Sequence, residues 1–313
     1  MADRRVVGVD AGGTKLLGGV VDEQLAVHHR VRRLWGGAER QAVLDLCVEV
    51  AEDGLASAPD AASIGFGIPA LMNHDRSVAQ ACVHLPLDGV PFRDLMSERL
   101  GRRVVVDNDA TCALMAEWRA GAASGARDAL LLTLGTGIGG AILADGRIYR
   151  GGGAAGELGH VVVDVDGEEC ACGNRGCLET VASGTAIGRA GAAAADGAPD
   201  SALGRAQAAG RAVTGPLVTE LAADGDAVAR GVVAEAGRRL GAGLSGLANA
   251  FNPEVIVIGG GASAAGDLLL GPAREEFARR ALGPNASVRI VAAHYGDEAG
   301  MLGAAAMAME ETT

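Results

Sequence analysis

Short unbroken apolar runs alternate along this chain with longer stretches whose apolar positions recur at helical spacing, the mark of a mixed α/β protein. Residues 4–10 (RRVVGVD) read as a buried strand, AGGT as the turn after it, and residues 15–22 and 25–33 as two further strands. The opening is therefore a glycine-turned antiparallel meander. A helix is predicted from about Glu39 to Ala56, with Val43, Leu46, Cys47, Val50 and Ala51 on one face. SIGFGI is a strand that ends before Pro69, PFRDLMSERLG a short helix, and RRVVVDND a strand that ends on polar residues. DATCALMAEWRAG then reads as a helix with Asn108 or Asp109 near its N-cap.

Residues 129–148 (ALLLTLGTGIGGAILADGRI) repeat the plan of residues 5–22: apolar strand, glycine-rich turn, apolar strand. A repeat of that kind predicts a duplicated module and two related domains. The segment GELGHVVVDVDGEECACGNRGCLE, from Gly156 to Glu179, reads as irregular loops. Ala186 to Gly215 is Ala/Gly-rich and only weakly periodic, with helix as the best reading, and a longer helix covers about 226–250. PEVIVIGGGAS is a buried strand with a glycine turn, SVRIVAA the last strand, and EAGMLGAAAMAME a closing helix.

Composition narrows the function classes. A length of 313 residues suits two domains or one large α/β unit. With 49 glycines and only 3% aromatics, close backbone approach replaces bulky packing. A net charge of −12 speaks against a basic face for nucleic acid, so a phosphate ligand must be held locally, by backbone N–H groups and a metal ion. Lys15 is the single lysine, and it stands in a glycine-rich turn. The N-terminus has no apolar signal region, and no window has the length of a membrane span. Three cysteines are scattered and three clustered, which suits a reducing cytoplasm and one metal site. The expectation is a soluble, cytoplasmic protein.

Four sets of residues carry chemistry. In DAGGTK, Gly12 and Gly13 let backbone N–H groups approach phosphate oxygens, Thr14 adds a hydroxyl, and Asp10 suits Mg²⁺ held through water. Gly135, Thr136 and Gly137 in the repeat form a second such turn, and Gly259, Gly260 and Gly261 a third; together they suit a nucleoside triphosphate. Cys170-x-Cys172, then Cys177, with His160 ten residues upstream, make a Cys₃His set that closes a tetrahedral Zn²⁺ shell without an open position. A structural zinc is predicted. His28, His29, His74, His84 and His294 lack partners at ligand spacing and read as surface or satisfied histidines.

The order DxGGTK, then Asn-Asp opening a helix, then LGTGIGG, then GELGH with CxCGxxGCxE, resembles the sugar-kinase branch of the ROK family over essentially the whole chain. The resemblance implies an actin-like, ribonuclease-H-like α/β fold of two domains with the active-site cleft between them. One domain would hold residues 1–107 with about 298–313, and the other residues 108–297 with the zinc loop 157–179. It further implies ATP as donor and a hexose, glucose foremost, as acceptor. Asp109 would be the catalytic base beside Asn108, and Glu157, His160 and Glu179 would bind sugar hydroxyls. Gly67 matches a family turn, GxPG, in which this chain has Ala70 for the last glycine. A homodimer or homotetramer is implied.

Other readings stay open at this point. Mannose, fructose or N-acetylmannosamine as acceptor, or polyphosphate as donor, would reuse most of these motifs. A sugar-sensing repressor of the same family needs a DNA-binding winged helix ahead of DxGGTK, for which the nine residues before Asp10 are too few. An ATP-hydrolysing chaperone or filament protein on the same fold has no use for the sugar motifs.

Overall fold

The computed structural model describes residues 4–12, 15–35, 39–82 and 85–311. Its first half runs β1 (Arg5–Ala11), β2 (Lys15–Asp22), β3 (Val27–Leu34), α1 (Arg40–Ser57), β4 (Ser63–Ile68), β5 (Leu71–Met72), β6 (Ala79–Ala81), α2 (Phe92–Leu100), β7 (Arg103–Asn108) and α3 (Asp109–Ala120). The second half runs β8 (Ala129–Leu134), β9 (Ile138–Ala144), β10 (Arg147–Tyr149), α4 (Glu179–Ala182), α5 (Gly184–Asp196), α6 (Ala202–Ala208), α7 (Gly215–Ala223), α8 (Ala227–Phe251), β11 (Val255–Gly259), α9 (Asp267–Arg280), β12 (Arg289–Ala292) and α10 (Ala299–Glu310).

The duplication read from the sequence is written into the sheets. One has the order β3-β2-β1-β4-β7 and the other β10-β9-β8-β11-β12, so each places its meander first and two further strands after it. In the first sheet β1 pairs antiparallel with β2 and parallel with β4, and β4 pairs parallel with β7. In the second β11 lies parallel to both β8 and β12. Parallel strands are buried on both faces, which is why their sequences are apolar runs and not alternations.

Two compact units result, Met1–Arg127 with Ala141–Gly156 and His294–Thr313, and Asp128–Gly140 with Glu157–Ala293. In the first, side chains separate by the two-residue strand period. Val7, Val9, Ile64, Phe66, Val104 and Val106 join the core shared with α1 and α2. Val6 and Val105 join Cys112, Met115 and the Met301–Met309 stretch of α10. The boundary expected after residue 107 is thus misplaced: α3 remains with the first unit because it packs on α10. A Cβ on Gly303 would strike the Cys112 carbonyl, so two helix backbones touch there, as α10 touches the sheet at Gly8 and Gly65.

Two details differ from the sequence reading. The buried face of α1 includes Leu44 and Val48, and Leu46 is only partly covered. Residues 267–280, assigned no element, form α9 with Pro272 inside it. A Gly-Pro pair reads as a helix breaker, but α9 is held by close packing on α8, where Cβ atoms at Gly237 and Gly241 would meet the carbonyls of Leu269 and Ala273. Among the described residues no helix is long and apolar enough to cross a membrane.

Two glycine substitutions test this packing in opposite directions. Gly303→Ala should destabilise by about 3 kcal/mol or more, since backbone must move to admit the methyl group. Gly246→Ala, in α8 with open space around it, should stabilise by about 0.5–1 kcal/mol through helix propensity alone. Denaturant unfolding of the two variants checks both.

Candidate active site

The first sheet aligns one group of the predicted residues by register. Asp10 on β1 is level with Gly67 on β4, Gly67 is level with Asp107 on β7, and Ile68 with Asn108. Three parallel strands therefore end together, and their last residues form one row at the carboxyl edge, where open α/β sheets place ligands. Gly67 belongs in that row for a steric reason: a Cβ there would lie 3.2 Å from the Cys112 Sγ and 3.5 Å from the Asp109 Cα.

Asn108 caps α3, its side-chain oxygen accepting the N–H groups of Ala110 at 3.0 Å and Thr111 at 3.2 Å. Its amide donates to the Ala70 carbonyl at 3.4 Å. Asp109 is the first residue of the helix and half-buried. The cap is thus Asn108, and Asp109 adds to it at the helix start, its Oδ1 accepting the Ala110 N–H at 2.8 Å.

Asp10 is the most perturbed carboxyl group. Its Oδ1 is buried with no hydrogen-bond partner among the described residues. Desolvation, then the nearby Asp109 charge, push its pKa up to about 8, against the opposing pull of Lys15. Gly300 at the start of α10 makes the room, since a Cβ there would fall 2.6 Å from the Asp10 carboxyl carbon. Lys15, at the start of β2, pairs with Asp297. Gly12 precedes it in the same turn, and Gly13 and Thr14 lie outside the described residues. A carboxylate held dry with a free lone pair is a suitable ligand for Mg²⁺, directly or through water.

The second unit carries the other predicted groups, and it packs them together. The Gly135–Gly137 turn closes on itself through Gly135 N–H to the Gly137 carbonyl at 2.9 Å. Gly260, at φ +80°, lies so close to the Leu134 backbone that a Cβ would come within 2.5 Å of its nitrogen. The glycine turn that includes Gly259 and Gly261 therefore abuts the LGTGIGG turn. Glu179 Oε2 accepts the Ile138 N–H at 2.7 Å, and Gly159 of GELGH presses on the Ile138 backbone with no room for a side chain. Glu157 and His160 stand at the two ends of that short turn, partly exposed.

The four predicted metal ligands converge. Their donor atoms all lie within 4.8 Å of one another. Cys172 Sγ is 3.7 Å from Cys177 Sγ, and Cys170 Sγ is 3.6 Å from His160 Nδ1. A tetrahedron with Zn–S of about 2.3 Å and Zn–N of about 2.0–2.1 Å has edges of about 3.8 Å between sulfurs and about 3.6 Å from sulfur to nitrogen. The donor set fits that ion in kind and in spacing. Burial and the neighbouring thiols push Cys177 up to about 12, the behaviour of a thiol that requires a cation beside it to ionise. With Nδ1 toward the thiols, His160 turns Nε2 toward Glu157, at 3.8 Å.

Some structural partners were not among the residues read from the sequence. Asp107 fills both its carboxylate oxygens, one with the Asn108 N–H at 2.9 Å and one with Arg150 at 2.7 Å. Glu117, fully buried in α3, accepts the N–H groups of His294 and Tyr295 at 2.8 and 2.9 Å and so fixes the chain leading to Asp297. Among the remaining histidines, His28 pairs with Asp22 and His29 with Asp53, while His84 lies outside the described residues.

Known proteins resemble this chain over nearly its whole length. The chain is 34% identical to a glucokinase of Streptomyces coelicolor, covering 97% of both. It is 37% identical to a glucokinase of Halalkalibacterium halodurans, covering 97% of this chain and 94% of that one. A ROK family glucokinase from Streptomyces griseus, solved in complex with glucose and AMPPNP, matches with a TM-score of 0.89 at 34% identity, covering 98% of this chain and 99% of the other. The ROK family model matches residues 6–311, and the chain belongs to the ROK family.

Proposed function

We propose that this protein is a glucokinase, transferring the γ-phosphoryl group of ATP to the C6 hydroxyl of glucose. One observation carries the reading: a whole-length likeness to a glucokinase structure that holds glucose and AMPPNP, in a chain whose strand ends set Asp109 near a desolvated Asp10. In this reading Asp109 accepts the hydroxyl proton as the bond to phosphorus forms, and before that it fixes the attacking oxygen in line. Asn108 contributes by capping, which holds Asp109 at one position on the first turn. Glu157, His160 and Glu179 bind the other hydroxyls; each offers a donor or acceptor that a hydroxyl can complement.

The nucleotide is held by the turns at Gly12–Lys15, Gly135–Gly137 and Gly259–Gly261. Asp10 would hold the magnesium ion, which when bound offsets the charge on the phosphate oxygens. The Cys₃His set would hold a structural zinc, and Glu179 would tie that knuckle to the nucleotide turn: its Oε1 lies 3.6 Å from Cys170 Sγ while Oε2 holds Ile138. The reading also implies an oligomer of two or four chains and a cytoplasmic location.

The deciding measurement is ADP release over a panel of glucose, mannose, fructose and N-acetylmannosamine, with ATP or polyphosphate as donor. Glucose with ATP should give the highest kcat/KM. Asp109→Asn should keep glucose affinity within about threefold and lose about 10³-fold or more in turnover. Absence of hexose-dependent ADP release with every sugar refutes the reading, and near-normal turnover in Asp109→Asn removes that residue from the proton transfer.

Metal analysis should find about one zinc per chain, given four ligands around one centre. Cys172→Ser should lower the metal content and weaken glucose binding, measured by calorimetry, by about tenfold or more. A metal-free chain with unchanged glucose affinity would remove the coupling.

Asp10 gives a prediction about pH. Its pKa of about 8 lies above the ordinary 3.8, so in the absence of magnesium and nucleotide its favourable contribution is complete below about pH 4 and lost as pH rises through about 8. Asp10→Asn should therefore melt above the wild type at pH 8–9, with the gap narrowing toward pH 4, while phosphoryl transfer is lost. Melting curves taken across that range, without added metal, check the sign.

A further inference from the structure

Asp107 and Arg150 form an ion pair directly behind the proposed base. The Asp107 side chain is 4% exposed, stands two residues before Asp109, and takes Arg150 Nε and Nη2 on one oxygen, each at 2.7 Å. Its other oxygen holds the Asn108 N–H, the peptide that turns the chain from β7 into α3. Arg76 comes no nearer than 3.7 Å and is itself engaged by Glu311 at 2.5 Å. Arg150 is thus the cation that balances Asp107.

The same arginine fixes the chain that runs on toward Glu157. Its carbonyl accepts the N–H groups of Gly153 at 2.7 Å and Ala155 at 3.1 Å. Gly153, at φ +119°, presses on the backbone of Met72 and Asn73, where a Cβ would come within 2.6–2.8 Å. Burial and the charges of Asp107, Asp10 and Asp109 push the Cys112 thiol well up, while Arg150 draws it down.

We propose that Arg150 is a positioning residue for the phosphoryl transfer, acting through Asp107 to hold the Asn108–Asp109 turn in the geometry that receives the acceptor sugar. The inference rests on the kinase reading above. A buried carboxylate that loses its nearest cation is strongly destabilising where it stands and draws in water or moves. Here movement would be passed directly to Asn108 and Asp109. A displacement of about 1 Å at a reacting group costs about 100-fold in rate. The effect should fall on the sugar side of the reaction.

Steady-state kinetics with glucose and ATP test this in Arg150→Met, Arg150→Lys, Asp107→Asn and the double variant Asp107→Asn/Arg150→Met. Arg150→Met should lose about 100-fold in kcat/KM for glucose with KM for ATP within about threefold. Arg150→Lys, which keeps the charge but not the fork of donors, should lose about tenfold. The double variant should exceed Arg150→Met by about tenfold, because the unpaired carboxylate is gone. If Arg150→Met does not fold, the lysine and double variants carry the same comparison. Equal losses toward glucose and ATP, or a double variant no better than Arg150→Met, would mean a merely structural role and overturn the proposal. Unchanged kinetics in Arg150→Lys and Arg150→Met with an active wild type overturn this inference alone, whereas a wild type inactive on every hexose overturns the parent reading and this one with it.

Discussion

A carboxylate kept from water is the constraint on which the first unit depends. The Asp10 Oδ1 is buried with no hydrogen-bond partner among the described residues, and a desolvated charge of that kind is unfavourable without compensation. The surroundings are arranged around it. Gly300 leaves the space, Lys15 supplies the nearby positive charge, and Glu117 fixes the segment that brings Asp297 to Lys15. Residues held at such cost in a folded chain mark function more reliably than stability, since a neutral side chain would pack there with less penalty.

Much of the fold was legible because the signals were local. Strand runs, glycine turns and the N-cap of α3 each lie within a few residues, and the repeat of residues 5–22 at 129–148 anticipated two sheets of one order. What was not legible depended on distant backbone contacts. The Gly271–Pro272 pair obscured α9, which exists because Gly237 and Gly241 let α8 approach it. The placement of α3 in the first unit follows from Gly303 against Cys112, a contact between residues 191 positions apart in the sequence. In an Ala/Gly-rich protein the periodicity of a helix says little about its partner, because small side chains line every face of α10.

The candidate site divides along the same line. Spaced motifs made the Cys₃His set and the Asn108–Asp109 turn readable, and the four metal ligands do converge. The sequence reading placed Glu179 among sugar ligands, and the fold sets one of its carboxylate oxygens on the Ile138 N–H. No sequence signal joins Glu179 to Ile138 or Arg150 to Asp107, because pairing across 41 or 43 positions is decided by the packed fold. Asp107 itself was within reach: an acid ending an otherwise apolar strand, immediately before Asn108, is unusual enough to require a partner.

The knuckle shows why a metal suits this chain at this place. From Val161 to Gly176 the loop has few side chains able to form a core: Val161, Val162 and Val165 are 38%, 41% and 78% exposed. Its order comes from backbone hydrogen bonds, among them Val163 N–H to the Gly176 carbonyl, Cys170 N–H to the Asn174 carbonyl and Gly176 N–H to the Glu168 carbonyl. A loop of that composition buries too little apolar surface to offset the entropy of ordering it. Four ligands on one ion would supply further ordering from within, as in small metal-stapled domains that fold only with their metal. The demand is sharpest at His160, where one ring must present Nδ1 to the thiols and Nε2 to the side of Glu157. Coordination would fix both the tautomer and the ring plane, which a single hydrogen bond would leave free to rotate.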